Sequence, residues 1–81
     1  METPNVVIYS TPVCGYCKLA KEFMTERNVA YTEHDVAADV EKRKEMMEKT
    51  GQMGVPVIEV DEQLMIGFDR AALAKLLNVE A

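Results

Sequence analysis

The sequence predicts an α/β fold, a four-stranded mixed sheet flanked by helices in the order β-α-β-α-β-β-α. Three observations lead there. The β-rich apolar run Val6 to Ser10 gives way, across Thr11-Pro12-Val13, to a stretch with helical spacing. A charged segment opens at Asp39 and closes at Gly51, as a capped surface helix does. Two short runs, Val55 to Val60 and Gln63 to Ile66, are separated only by Asp61-Glu62, the spacing of an antiparallel hairpin.

Taken in order, Val6 to Ser10 suits a strand covered on both faces. From Cys14 to about Asn28, residues Leu19, Ala20, Phe23 and Met24 fall on one apolar helical face. Val29 to Val36 reads as a second strand, with Tyr31 inside it and His34 as a surface position without a role. In the charged helix to Thr50, Val36, Val40 and Met47 are expected to share a face, while Glu41, Lys42, Glu45, Glu48 and Lys49 look outward. Gly67-Phe68 is a turn, and Asp69 caps a last helix that turns Leu73, Leu76 and Leu77 inward. The first two strands, joined by a helix, should form a right-handed parallel pair.

At 81 residues the chain is read as one domain, 1–81. A chain this short buries only about 60–65% of the surface its unfolded form exposes, so substrates are met at the surface. The net charge of −5, from 14 acidic and 9 basic residues, argues against nucleic acid and against anionic membranes as partners. Met1-Glu2-Thr3-Pro4-Asn5 is polar without a basic start, and Val6 to Tyr9 is too short for a signal core or a span. A cytoplasmic monomer is the expectation, with the six methionines as core filler.

Chemistry enters with Cys14 and Cys17, the only cysteines. A staple closing so short a loop removes little unfolded-chain entropy. Zinc would need two further ligands, and the chain offers His34 and carboxylates, so no metal site is expected. A reactive pair is the stronger reading. Cys14 falls at a helix N-terminus, where unpaired N–H groups and the helix dipole favour a thiolate, and Lys18 and Lys21 add positive potential. Cys17 lies one turn on, on the same face. Cys14 is then the exposed attacker and Cys17 the buried resolver. Gly15 leaves the sulfur uncrowded, and Tyr16 stands beside it as an aromatic wall. Inert core cysteines are the bland alternative. From the residues alone, Pro56 marks the start of a strand, and trans is the usual state of its peptide bond. The helix start at Asp69 could also receive a substrate carboxylate.

Three stretches in order, Val7-Ile8-Tyr9-Ser10-Thr11-Pro12-Val13-Cys14-Gly15-Tyr16-Cys17, Gly51-Gln52-Met53-Gly54-Val55-Pro56-Val57-Ile58 and Ile66-Gly67-Phe68-Asp69, resemble the glutaredoxin family, and the likeness runs from Val6 to Leu77. It is nearest to the small bacterial and archaeal glutaredoxin-like redoxins, beside those that donate electrons to ribonucleotide reductase. The resemblance implies the thioredoxin fold and a redox-active disulfide between a nucleophilic Cys14 and a resolving Cys17. It implies a cis bond at Pro56, with Val55 offering its N–H and C=O to an extended substrate. Tyr16, Gln52, Gly67, Phe68 and Asp69 complete the implied contacts to glutathione or substrate. The chain departs from the glutathione-binding pattern at Gly15, at Thr11 where a basic residue is common, at Gly54 and at Phe68.

The expected function is a dithiol thiol–disulfide oxidoreductase, an electron donor in cell redox homeostasis. It would reduce disulfide-bearing substrate proteins or glutathione mixed disulfides, and glutathione or thioredoxin reductase would reset it. No tightly bound cofactor is expected. The alternatives are a redoxin that depends on thioredoxin reductase and does not use glutathione, and a glutathione-ligated [2Fe–2S] carrier, which Gly15 brings into view.

Overall fold

A computed structural model describes residues 4–80. Its elements are β1 (Val6–Ser10), α1 (Gly15–Glu26), β2 (Thr32–Asp35), α2 (Val40–Thr50), β3 (Val57–Val60), β4 (Gln63–Ile66) and α3 (Arg70–Leu77). The element order is the one the sequence predicts. The boundaries contract: Val29 to Tyr31 precede β2, Val55 and Pro56 precede β3, and α1 ends at Glu26. Pro56 has no N–H to give a ladder, which explains the later start of β3.

The sheet order is β2-β1-β3-β4. β1 pairs with β2 in parallel, and the β1–β3 and β3–β4 pairs are antiparallel. Successive side chains in a strand point to opposite faces, and β1 divides accordingly. Val6 and Ile8 join Ala20, Phe23 and Met24 of α1, Ile58 and Val60 of β3, and Leu73, Ala74 and Leu77 of α3 in the larger core. Tyr9 joins Val36, Met46 and Val57 in a smaller one under α2.

Two expectations for helix faces and one for a strand position differ from the structure. Leu19 is exposed, and the buried residues of α1 are Cys17, Ala20, Phe23 and Met24. Val40 and Met47 are exposed, and α2 buries Met46 instead. His34 is half-buried, its ring 5.6 Å from that of Tyr9. Polar contacts to the sheet stand beside the single buried Met46 of α2, and a hydrophobic pattern does not register them. The Tyr9 hydroxyl donates to Glu45 at 2.9 Å and accepts from Lys49 Nζ at 3.1 Å. Lys49 also reaches Glu59 at 3.0 Å, and Lys42 reaches Glu45 at 3.2 Å. Hydropathy treats these residues as solvated, whereas here they fasten a helix to a sheet.

This network predicts an acid-sensitive contact. Hydrogen bonds from Tyr9, and then from Lys42 and Lys49, hold the Glu45 carboxyl down at about 2, against an ordinary value of 4.5. A carboxyl depressed by folding contributes its stability fully above the ordinary value and loses it as pH falls toward the folded one. The Glu45→Gln variant should therefore show a flatter fall in stability between about pH 4.5 and pH 2 than the parent, in urea melts across that range. Parallel curves would show that Glu45 contributes nothing to acid sensitivity.

Candidate functional site

The site is assembled by strand register. Tyr9 lies opposite Val57, so the chain leaves β1 toward Cys14 at the end of the sheet where Val55-Pro56 enters β3. Val57 lies opposite Ile66, and the Gly67 N–H donates to the Pro56 carbonyl at 2.7 Å. That pairing brings Gly67, Phe68 and Asp69 to the same end. The Val55–Pro56 bond is cis, as the resemblance implies.

Cys14 is the N-cap of α1, and the Cys17 N–H donates to its sulfur at 3.1 Å. Serine, threonine and aspartate commonly fill this position with an oxygen; here a sulfur takes it. An N–H aimed at sulfur, together with the helix dipole behind it, favours the thiolate when the pair is reduced. The two sulfurs are close enough to bond, with Cα atoms 5.2 Å apart. Cys14 is partly exposed, and Cys17 is 1% exposed. Gly15 has open space where a side chain would stand.

The expected positive surround is divided. Lys18 is exposed, but Lys21 is tied to Glu33 at 2.8 Å. Ser10 is buried and donates to the same carboxylate oxygen at 2.6 Å. Lys21 and then Ser10 hold the Glu33 carboxyl below its ordinary value. Lys21 is therefore largely spent on Glu33.

Close to Cys14 in the chain, apolar side chains stand exposed. Val13 is 94% exposed, Tyr16 is 65% exposed and Leu19 lies one turn beyond Tyr16. Phe68 is half-buried, its ring edge-on to Phe23 at 6.0 Å, so it serves the core as well as the rim. The Asp69 carboxylate caps α3 by accepting from Ala72 N–H at 3.2 Å. Gln52 folds back onto Gly54, its Oε1 accepting from the Gly54 N–H at 2.6 Å and its Nε2 donating to the Gly54 carbonyl at 3.0 Å.

Met53 and Arg70 each follow directly on an expected site position, Gln52 and Asp69. Met53 is 59% exposed in the loop before Val55, so it is not core filler, unlike the buried Met24 and Met46. Arg70 follows Asp69, its guanidinium 5.3 Å from the Phe23 ring centroid. Among the described residues, no cluster of side chains suited to a metal ion is present, and no helix is long and apolar enough to cross a membrane.

A mixed sheet in this order, with a cysteine pair at the first turn of the helix that follows β1, defines a dithiol redoxin of the thioredoxin fold. Comparison with known proteins narrows the class. The glutaredoxin family model matches residues 6–65, and the chain belongs to the glutaredoxin family. It is 40% identical over 73 residues to a glutaredoxin-like 8.6 kDa protein of the rubredoxin operon of Clostridium pasteurianum, covering 90% of this chain and 97% of that one. It is 34% identical over 74 residues to the glutaredoxin-like protein NrdH of Lactococcus lactis, covering 88% and 97%. The crystal structure of the thioredoxin-like protein BC3987 superposes with a TM-score of 0.85 at 32% identity, covering 90% and 100%.

Proposed function

We propose that this chain is a dithiol electron donor that reduces disulfides in proteins or mixed disulfides of glutathione, through Cys14 and Cys17. The observation behind this reading is the asymmetry of the pair, with an accessible sulfur that accepts a backbone N–H and a buried partner one turn away. The Cys14 thiolate attacks one sulfur of the substrate disulfide, and the other leaves as a thiolate that takes up a proton. Cys17 loses its proton and attacks Cys14 Sγ, releasing the second substrate thiol and leaving the Cys14–Cys17 bond. Two electrons have passed to the substrate, and an external reductant returns them.

Tyr16, Val55, Pro56, Gly67, Phe68 and Asp69 would receive the substrate. Among the described residues, neither the N–H nor the C=O of Val55 has a hydrogen-bond partner. The groups on either side are engaged, Gly54 by Gln52 and the Pro56 carbonyl by Gly67. Val55 is thus one open rung on which an extended chain can pair. Thioredoxin reductase or glutathione would supply the electrons, the two sources that the family resemblance implies. The cytoplasm is the compartment in which such a pair is kept reduced, and a monomer leaves the rim around Cys14 open.

Two coupled assays test the reductant. One supplies NADPH, glutathione reductase and glutathione; the other supplies NADPH and thioredoxin reductase. Multiple turnovers of a model protein disulfide at substoichiometric redoxin are expected in at least one. Fast turnover with glutathione alone assigns that reductant, fast turnover with thioredoxin reductase alone assigns the other, and turnover in neither contradicts the proposal.

A further inference from the structure

The Gln52 side chain closes a ring on the backbone of Gly54, engaging both its N–H and its C=O. Such a contact imitates a strand partner and fixes the peptide plane that leads into Val55. The ring is anchored behind, where the Gln52 N–H donates to Thr50 Oγ1 at 3.3 Å and that hydroxyl donates to the Met46 carbonyl at 2.8 Å. Met46 is fully buried, so the support reaches the smaller core. The ring also requires glycine at 54. A Cβ there would come within 2.6 Å of Gln52 Oε1, closer than real contacts allow, although the backbone of Gly54 needs no left-handed conformation.

We propose that Gln52 is a positioning residue. Its amide, admitted by the bare Gly54, sets the pose of Val55 for pairing with the peptide backbone of a substrate and does not itself touch the substrate. The inference rests on the dithiol reading above and names the substrate class for which Gln52 matters. Substrates bearing backbone amides beside the disulfide depend on it, and disulfides without amides do not.

The test compares three disulfides under the same glutathione-free reductant: a disulfide-bearing peptide with a free C-terminal carboxylate, the same peptide amidated, and 2-hydroxyethyl disulfide. Removing two hydrogen bonds of ordinary net worth should raise KM for both peptides by roughly 3- to 10-fold in Gln52→Ala, with kcat little changed. The turnover of 2-hydroxyethyl disulfide and the rate of Cys14 alkylation should not move. Gly54→Ala should reproduce this pattern with Gln52 intact, because the added methyl displaces the amide. Gln52→Glu, which keeps the acceptor and loses the donor, should fall between. A loss confined to the free-carboxylate peptide would overturn the proposal and make Gln52 a ligand contact. An equal loss on all three disulfides would overturn it in favour of general damage to the site, and unchanged peptide KM values would show that the ring has no such role. Failure of the parent protein to reduce any of the three would refute the dithiol reading instead.

Discussion

The Cys14→Ser variant is expected to turn over disulfides at the uncatalysed rate, whereas Cys17→Ser is expected to complete the first step and stop. The difference follows from placement on α1. Cys14 is the N-cap, partly exposed, with the Cys17 N–H directed at its sulfur. Cys17 is sealed from solvent, so no bulky substrate sulfur reaches it before Cys14 has reacted. Serine at 14 keeps a cap, because its oxygen can accept the same N–H, so the fold should persist while the nucleophile is lost. Serine at 17 leaves the Cys14 thiolate able to attack but removes the group that resolves the product. Intact-mass measurement after exposure to a protein disulfide should find Cys17→Ser joined covalently to substrate and Cys14→Ser unmodified. The reverse pattern would exchange the two roles.

The second large effect is on stability. Ile58 has no exposed surface and sits in β3, paired with Ile8 on one side and Met65 on the other. It belongs to the larger core with Phe23, Met24 and Leu73, drawn from α1 and α3. Replacing it with alanine removes buried methyl and methylene groups and leaves a cavity, a change that costs about 2–5 kcal/mol. Domains hold about 5–15 kcal/mol in total, and a chain this small has little to spare. Ile58→Ala should therefore lower the thermal midpoint by about 4–8 °C for each kcal/mol lost. Leu64→Ala in exposed β4 should change stability by no more than about 0.5 kcal/mol. Equal losses at the two positions would contradict the assignment of the core.

Much of this was legible in the sequence, for physical reasons. Strand runs and helix caps leave short-range marks, and Asp39, Gly51 and Asp69 stand in the structure as the caps or ends those marks imply. The order of the elements followed from those marks. Hydropathy misplaces a face wherever polar contacts do the packing. Met46 and Met47 differ by one residue, and the sheet-facing side of α2 is marked by a tyrosine hydroxyl and three charges that a hydrophobic pattern ignores. Leu19 and Met53 are apolar yet exposed, so hydropathy assigns them to the core while the structure leaves them at the surface. The cis state of Val55-Pro56 came only with the family resemblance, because no local feature of Val-Pro separates cis from trans. The fold of Gln52 onto Gly54 is a pairing between neighbours that no pattern of composition announces.

The most direct test of the central claim is alkylation of the reduced protein at neutral pH, followed by peptide mass analysis at timed intervals. The account predicts rapid labelling of Cys14 and none of Cys17 until the protein is unfolded. Labelling of Cys17 first, or of neither cysteine before unfolding, would contradict it.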